Sequence, residues 1–239
     1  MKWVQDKTGR FARRPHLQPE EIDAQCERLV RKFLSKKYGK VEFPIRTDDL
    51  TVLIEERADL DSCADLSHEE GEVEGVTEFR PGARPLVSIA NSLSAANMEN
   101  RLRTTLTHEF GHVYFHQFMF DTDTQAQSGS LFPTEPKRQV NKCNRASIVN
   151  AAETDWMEWQ AGYACGAILM PIGALIATVQ IFRAENDLDY KNLAVGTDAG
   201  QKLVARVVTE FQTSKDAARV RLFKKGILAD SGDRTAEIF

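Results

Sequence analysis

His108-Glu109-Phe110-Gly111-His112 decides how the rest of this chain is read. It fits the pattern H-E-x-x-H. On a helix the two histidines lie one turn apart on one face, so both imidazoles reach a single cation from the same side. Such a pair suits Zn²⁺, which lowers the pKa of a water it holds toward about 7. Glu109 follows the first histidine, where a carboxylate takes that proton and passes it to a leaving amine. Leu102, Leu106 and Phe110 recur every four residues as an apolar stripe, and Gly111 permits close approach of a neighbouring element.

Upstream, 75–79 and Leu86–Ala90 read as strands around the turn-rich Arg80-Pro81-Gly82-Ala83-Arg84-Pro85. Ser94 and Asn97 offer N-caps for a helix starting near Ala95 or Met98 and ending near Phe118. By analogy with zincin-like folds, Leu86–Ala90 is expected to present a sheet edge to which an extended peptide adds. A third ligand must come from elsewhere. His116 continues the four-residue series, but it lies about 12 Å along the helix from His108, too far to share one ion. The metzincin extension needs Gly and His where this chain has Phe115 and Phe118. Asp121, Asp123, Glu135, Glu153, Asp155 and Glu158 remain. Glu158 is favoured, because a carboxylate opening so apolar a helix needs a partner. Glu153 is the alternative, or simply an acid at a helix N-terminus.

Further out, residues 1–18 read as a flexible basic lead-in. A helix starts at Pro19-Glu20-Glu21 and stops at Gly39. Residues 50–54 read as a strand, or a helix end followed by one, and the acidic 59–74 as a loop or irregular hairpin. A polar insertion covers about 121–150. Residues 159–182 carry no charge, but Pro171 divides them, and two buried helices, 151–170 and 172–183, are expected rather than a membrane span. The C-terminal part reads as a helix over 201–211, a short turn, Ser214 as N-cap, a helix over 215–225 and Gly226 as its stop. The division expected is a lead-in (1–18), a catalytic domain (19–183) and a C-terminal helical subdomain (184–239).

The 239 residues are 42% hydrophobic and 28% charged with a net charge of −4, which excludes fibrous, collagen-like and fully disordered classes. Nothing in that balance demands nucleic acid, although residues 2–40 are basic and 55–78 acidic; two solvated faces are the plain reading. Met1 to Arg14 lacks the apolar core of a signal peptide. Cys26, Cys63, Cys143 and Cys165 form no CxxC pair, so free thiols in a reducing cytoplasm are expected. Cys26 and Cys165 fall in apolar helical patterns and read as core. His16 and His68 read as solvated, and Tyr114 and Tyr163 as packing residues. Cys143, flanked by Lys142 and Arg145, is a possible inhibitory fourth ligand that would keep the site latent.

Three segments together resemble the ImmA/IrrE-type metallopeptidases, a bacterial and phage family with a gluzincin-like site. They are the hairpin leading into Thr104-Thr105-Leu106-Thr107-His108-Glu109-Phe110-Gly111-His112, then Glu158-Trp159-Gln160-Ala161 with Ala167-Ile168-Leu169-Met170-Pro171, and Phe211-Gln212-Thr213-Ser214-Lys215-Asp216-Ala217-Ala218-Arg219-Val220-Arg221-Leu222. With the N-terminal helix they span residues 20–228. The resemblance implies an α+β fold, mainly helical and zincin-like, with a small antiparallel sheet. It implies His108, His112 and Glu158 as zinc ligands and Glu109 as general base and acid. It further implies cleavage of a helix-turn-helix transcriptional repressor, relieving repression in a phage, stress or defence response. Gln160 stands where the family often has Glu, Gly162 where it often has Asn, and the segment between His112 and Glu158 is long for the family.

Two other functions compete. The stretch from Val207 to Ala218, with Arg219, Arg221, Lys224 and Lys225 nearby, resembles a helix-turn-helix, which suggests a DNA-associated regulator. Nucleic acid such as single-stranded DNA also fits as an activating signal, because of the basic N-terminus. A non-proteolytic antirepressor would act by binding alone, but such a protein has no need of Glu109. The sequence leaves the oligomeric state open.

Overall fold

Helix α3 (Glu99–Gln127) carries the histidines and is central to the molecule, a computed structural model. The structure describes residues 2–69, 71–80, 82–127, 139–144, 155–188 and 192–230, with 121–127 and 139–144 as backbone only. From Arg103 to His116 nearly every α3 side chain is buried, polar ones included. The cause is packing on two sides. A sheet covers one face and helix α4 (Trp156–Leu169) the other. The expected end near Phe118 falls short by more than two turns, because Asp121 to Gln127 contains no helix breaker.

The sheet has strand order β3 (Asp59–Ala64), β5 (Leu86–Ala90), β4 (Val73–Phe79), β6 (Gln139–Asn144). It is mixed rather than purely antiparallel. β4 runs antiparallel to β5 and β6, whereas β3 pairs β5 in parallel. Two expectations are therefore corrected. Leu86–Ala90 is an interior strand, and the edges are β3 and β6. The acidic segment from Asp59 is a strand whose side chains mostly face solvent, so it lacks the apolar alternation that announces one.

Helix α1 (Pro19–Tyr38) begins with Pro in its first turn and a reciprocal Gln18–Glu21 capping pair. It ends at Gly39, which takes a left-handed φ of 70°. Helix α2 (Thr47–Glu55) replaces the strand considered for 50–54. Leu50, Leu53 and Ile54 are buried at helical spacing, a pattern too short to distinguish from a strand by period alone. Residues 2–16 are not a loose lead-in. β1 (Lys2–Gln5) and β2 (Arg13–His16) form an antiparallel hairpin. Asp6 accepts from the backbone N–H groups of Thr8 and Phe11, both at 3.0 Å. Phe11 then anchors the hairpin in a small cluster with Phe79, Met119, Trp156 and Met157.

Helices α4 and α5 (Ile172–Glu185) meet at Pro171 with a bend of 59°. Among the described residues no single helix is long and apolar enough to cross a membrane. Helices α6 (Asp198–Phe211) and α7 (Lys215–Lys224) follow as expected, with Ser214 capping α7 through the Ala217 N–H. Both share one apolar core with α1, α3 and α4. A buried cluster ties α7 to α1. Asp23 receives Arg221 at 2.6 Å, Lys225 at 2.9 Å and the Tyr163 hydroxyl at 2.9 Å.

Candidate metal centre

α3 supplies two donors and α4 the third. His108 Nε2 and His112 Nε2 lie 3.2 Å apart. Glu158 Oε2 is 3.2 Å from His108 Nε2, and its Oε1 is 3.1 Å from His112 Nε2. Four ligands about 2.0 Å from a tetrahedral ion stand about 3.3 Å from one another. The histidine pair has that spacing, each Glu158 oxygen faces one histidine at it, and one ligand atom from each residue lies within 4.8 Å of the other two. Both histidines are fully buried, and the Glu158 side chain is 14% exposed. Asp155 caps α4 by accepting from the N–H groups of Met157 and Glu158, which fixes the turn that aims Glu158. Burial alone would raise the Glu158 carboxyl, but His112 and His108 outweigh it and hold it well below the usual carboxylate range. His108, His112 and Glu158 therefore form a group that could hold a metal ion.

Gly111 sets the distance between the two helices. A Cβ there would stand 3.0 Å from Ala161 Cα and 3.1 Å from Ala161 O, so any side chain would press α4 away by a few tenths of an ångström. Ala161 is one turn beyond Glu158. The residue inside the motif thereby controls how near the third ligand comes to the first two.

Glu109 faces the sheet. Thr77 on β4 donates to Glu109 Oε2 at 2.5 Å. The other oxygen, Oε1, is buried and has no hydrogen-bond partner among the described residues. Burial raises the Glu109 carboxyl above its ordinary value, against the opposing pull of His108 and His112. Gly75 makes room for it, since a Cβ at that position would stand 2.6 Å from Glu109 Oε1. Thr77 and Gly75 were not anticipated from sequence. The glycine inside a strand was the available signal, because it marks a close approach.

His116 lies outside the donor group, as its distance from His108 implied, and it is fully buried. Its Nδ1 lies 3.2 Å from His112 Nδ1, and its Nε2 lies 3.1 Å from Gln160 Oε1. Gln160 Nε2 donates to the Pro15 carbonyl at 3.2 Å. The Pro15 contact assigns the donor and the acceptor at each step of this chain. With its N–H spent on Pro15, Gln160 presents its carbonyl to His116, so His116 carries its proton on Nε2. His116 Nδ1 then accepts from His112 Nδ1–H, and His112 Nε2 keeps a lone pair toward the donor group. Burial and the nearby His112 hold His116 well below the ordinary histidine value, so its ring stays neutral.

Tyr163 spends its hydroxyl on Asp23 and takes no part in the centre. Tyr114 packs beside Phe110 and Phe115, with Arg57 over its ring. Cys26 and Cys165 are buried. His16 lies 2.9 Å from Gln18 Nε2, and the His68 side chain is exposed. Cys143 pairs in register with Gly75 on β4, but its side chain lies outside the described residues, as do those of Glu153, Asp121, Asp123 and Glu135. No family model matches this chain, and no curated protein matches it in sequence.

Proposed function

We propose that this protein is a zinc-dependent endopeptidase acting on a specific regulatory protein. One observation carries the reading. Beside a three-residue donor group close enough to share one ion lies a fully buried carboxylate, Glu109, with one oxygen fixed by Thr77 and the other without a hydrogen-bond partner among the described residues. A site that only held a structural ion would have no use for that free oxygen, and burying it is costly. His108, His112 and Glu158 would hold the metal, which supplies Lewis acidity and an activated water when bound. Glu109 accepts a proton at Oε1 and returns it to the departing amine. Burial raises its affinity for protons, which favours the accepting half of that task. Thr77 and Gly75 keep the carboxylate in place, and the His116–Gln160 chain keeps the His112 lone pair turned to the metal.

The substrate class rests on the ImmA/IrrE-like segments and is a helix-turn-helix repressor cleaved inside the cell. Direct duplex recognition by the C-terminal helices is less favoured, because Arg221 and Lys225 are committed to Asp23. The test mixes purified protein with the product of the nearest helix-turn-helix gene, with and without single-stranded DNA. Fragments are followed by mass spectrometry for wild type and Glu109→Gln. Cleavage by wild type alone is expected. A stable complex with both forms and no cleavage by either would replace this reading with a binding-only antirepressor.

A further inference from the structure

β4 meets Glu109 through Gly75 and Thr77. A peptide presented to a sheet in extended form adds as a strand along a free edge. β4 has no free edge. β5 fills one side, backed by β3, and β6 fills the other. The register places Cys143 opposite Gly75, Lys142 opposite Val76 and Asn141 opposite Thr77. The main chain running beside the two residues that touch the general base is therefore the protein's own. The outer edges of the sheet, on β3 and β6, do not border β4.

We propose that β6 occupies the place of a peptide substrate, antiparallel to β4, and that substrate enters only when β6 leaves. This inference rests on the peptidase reading and adds its regulation: the protein holds itself latent by strand exchange. The sequence of β6 suits a strand that must come off. Gln139-Val140-Asn141-Lys142-Cys143-Asn144 has a single aliphatic β-branched residue, while Asn and Lys are poor strand formers. Among the described residues β6 is bonded on one side only, and its register with β4 shifts between Val73 and Gly75.

The test begins with hydrogen exchange on the full-length zinc-loaded protein, which does not depend on proteolysis. Alternate amides of β4 bond to β5 and to β6. The β6-directed set is expected to exchange roughly 100-fold faster than the β5-directed set, through local opening. A second sample joins the strands. Glu78 and Val140 are register partners, and directly paired antiparallel residues lie within disulfide reach. Glu78→Cys with Val140→Cys, in a Cys63→Ser and Cys143→Ser background, is expected to lose repressor cleavage on oxidation and regain it on reduction. Its β6-directed amides should slow to the β5 rate. Equal exchange of the two sets in wild type, or undiminished cleavage by the cross-linked form, would overturn the proposal. Fast β6-directed exchange with no cleavage by any form supports the displaceable strand and overturns the peptidase reading instead.

Discussion

Gly111→Ala tests whether the spacing of α3 and α4 sets the metal centre. The new methyl would meet Ala161 Cα at 3.0 Å, Ala161 O at 3.1 Å and Ala164 Cβ at 3.3 Å. The first two are backbone and cannot rotate away. Carbon atoms prefer about 3.5 Å or more, so α4 must retreat by roughly 0.5 Å. Two stability effects oppose each other. Alanine in a helix interior is favoured over glycine by about 1 kcal/mol, and overpacking a tight interface costs about 1–3 kcal/mol. The net loss is at most about 2 kcal/mol, and for a chain of this length each kcal/mol lowers Tm by about 2–4 °C. Thermal unfolding of the metal-free variant should therefore fall by no more than about 8 °C. Zinc affinity is the sharper readout. Glu158 moves with α4 while His108 and His112 stay on α3, and metal–ligand distances tolerate only about 0.2 Å. A loss of at least about tenfold in affinity, about 1.4 kcal/mol, is expected in a competition titration. Unchanged affinity with an unchanged or raised Tm would refute the reasoning.

Three further outcomes follow from the geometry. His116→Phe and Gln160→Leu each release the His112 ring, and each should weaken zinc binding by about 10–100-fold while the protein stays folded, as read by titration beside circular dichroism. Asp23→Asn should cost about 3–5 kcal/mol in denaturant unfolding at neutral pH, because it leaves Arg221 buried without its counter-charge. Burial works to raise the Asp23 carboxyl, but Arg221 and Lys225 outweigh it and hold it below its ordinary 3.8. Its stabilisation is therefore complete above about pH 4 and lost as pH falls through the lower folded-state value, so the gap between wild type and variant should close in that acid range. In thiol labelling of the native protein at pH 8, Cys63 should react while Cys26 and Cys165 do not, since burial pushes both thiols up, Cys165 to about 11. Labelling of either buried thiol without unfolding would contradict the packing of α1 and α4.

Local chemistry explains which features were legible in the sequence. The helix boundaries at Pro19, Gly39, Pro171 and Ser214 were readable because each residue does one thing to the backbone. The donor set was readable because helical spacing puts His108 and His112 together, and because Glu158 is an isolated acid at the head of an apolar helix. What failed were long-range pairings. Nothing in Leu86–Ala90 tells that β3 lies outside it, because β3 announces itself by pairing and not by alternation. The hairpin over residues 2–16 escaped for a similar reason. Its buried Phe11 finds partners on β4, α3 and α4 that are distant in sequence, and Trp3 packs against Phe118. Gln160 looked like a neutral departure from a family pattern. Only the fold shows it joining the Pro15 carbonyl to His116.

The most direct measurement is equilibrium zinc binding to wild type, Glu158→Gln and Glu109→Gln under one set of conditions. The account requires one tightly held zinc per wild-type chain, at least about tenfold weaker binding by Glu158→Gln, and unchanged affinity in Glu109→Gln. No zinc uptake by wild type, or equal affinity in Glu158→Gln, would contradict a centre built from His108, His112 and Glu158.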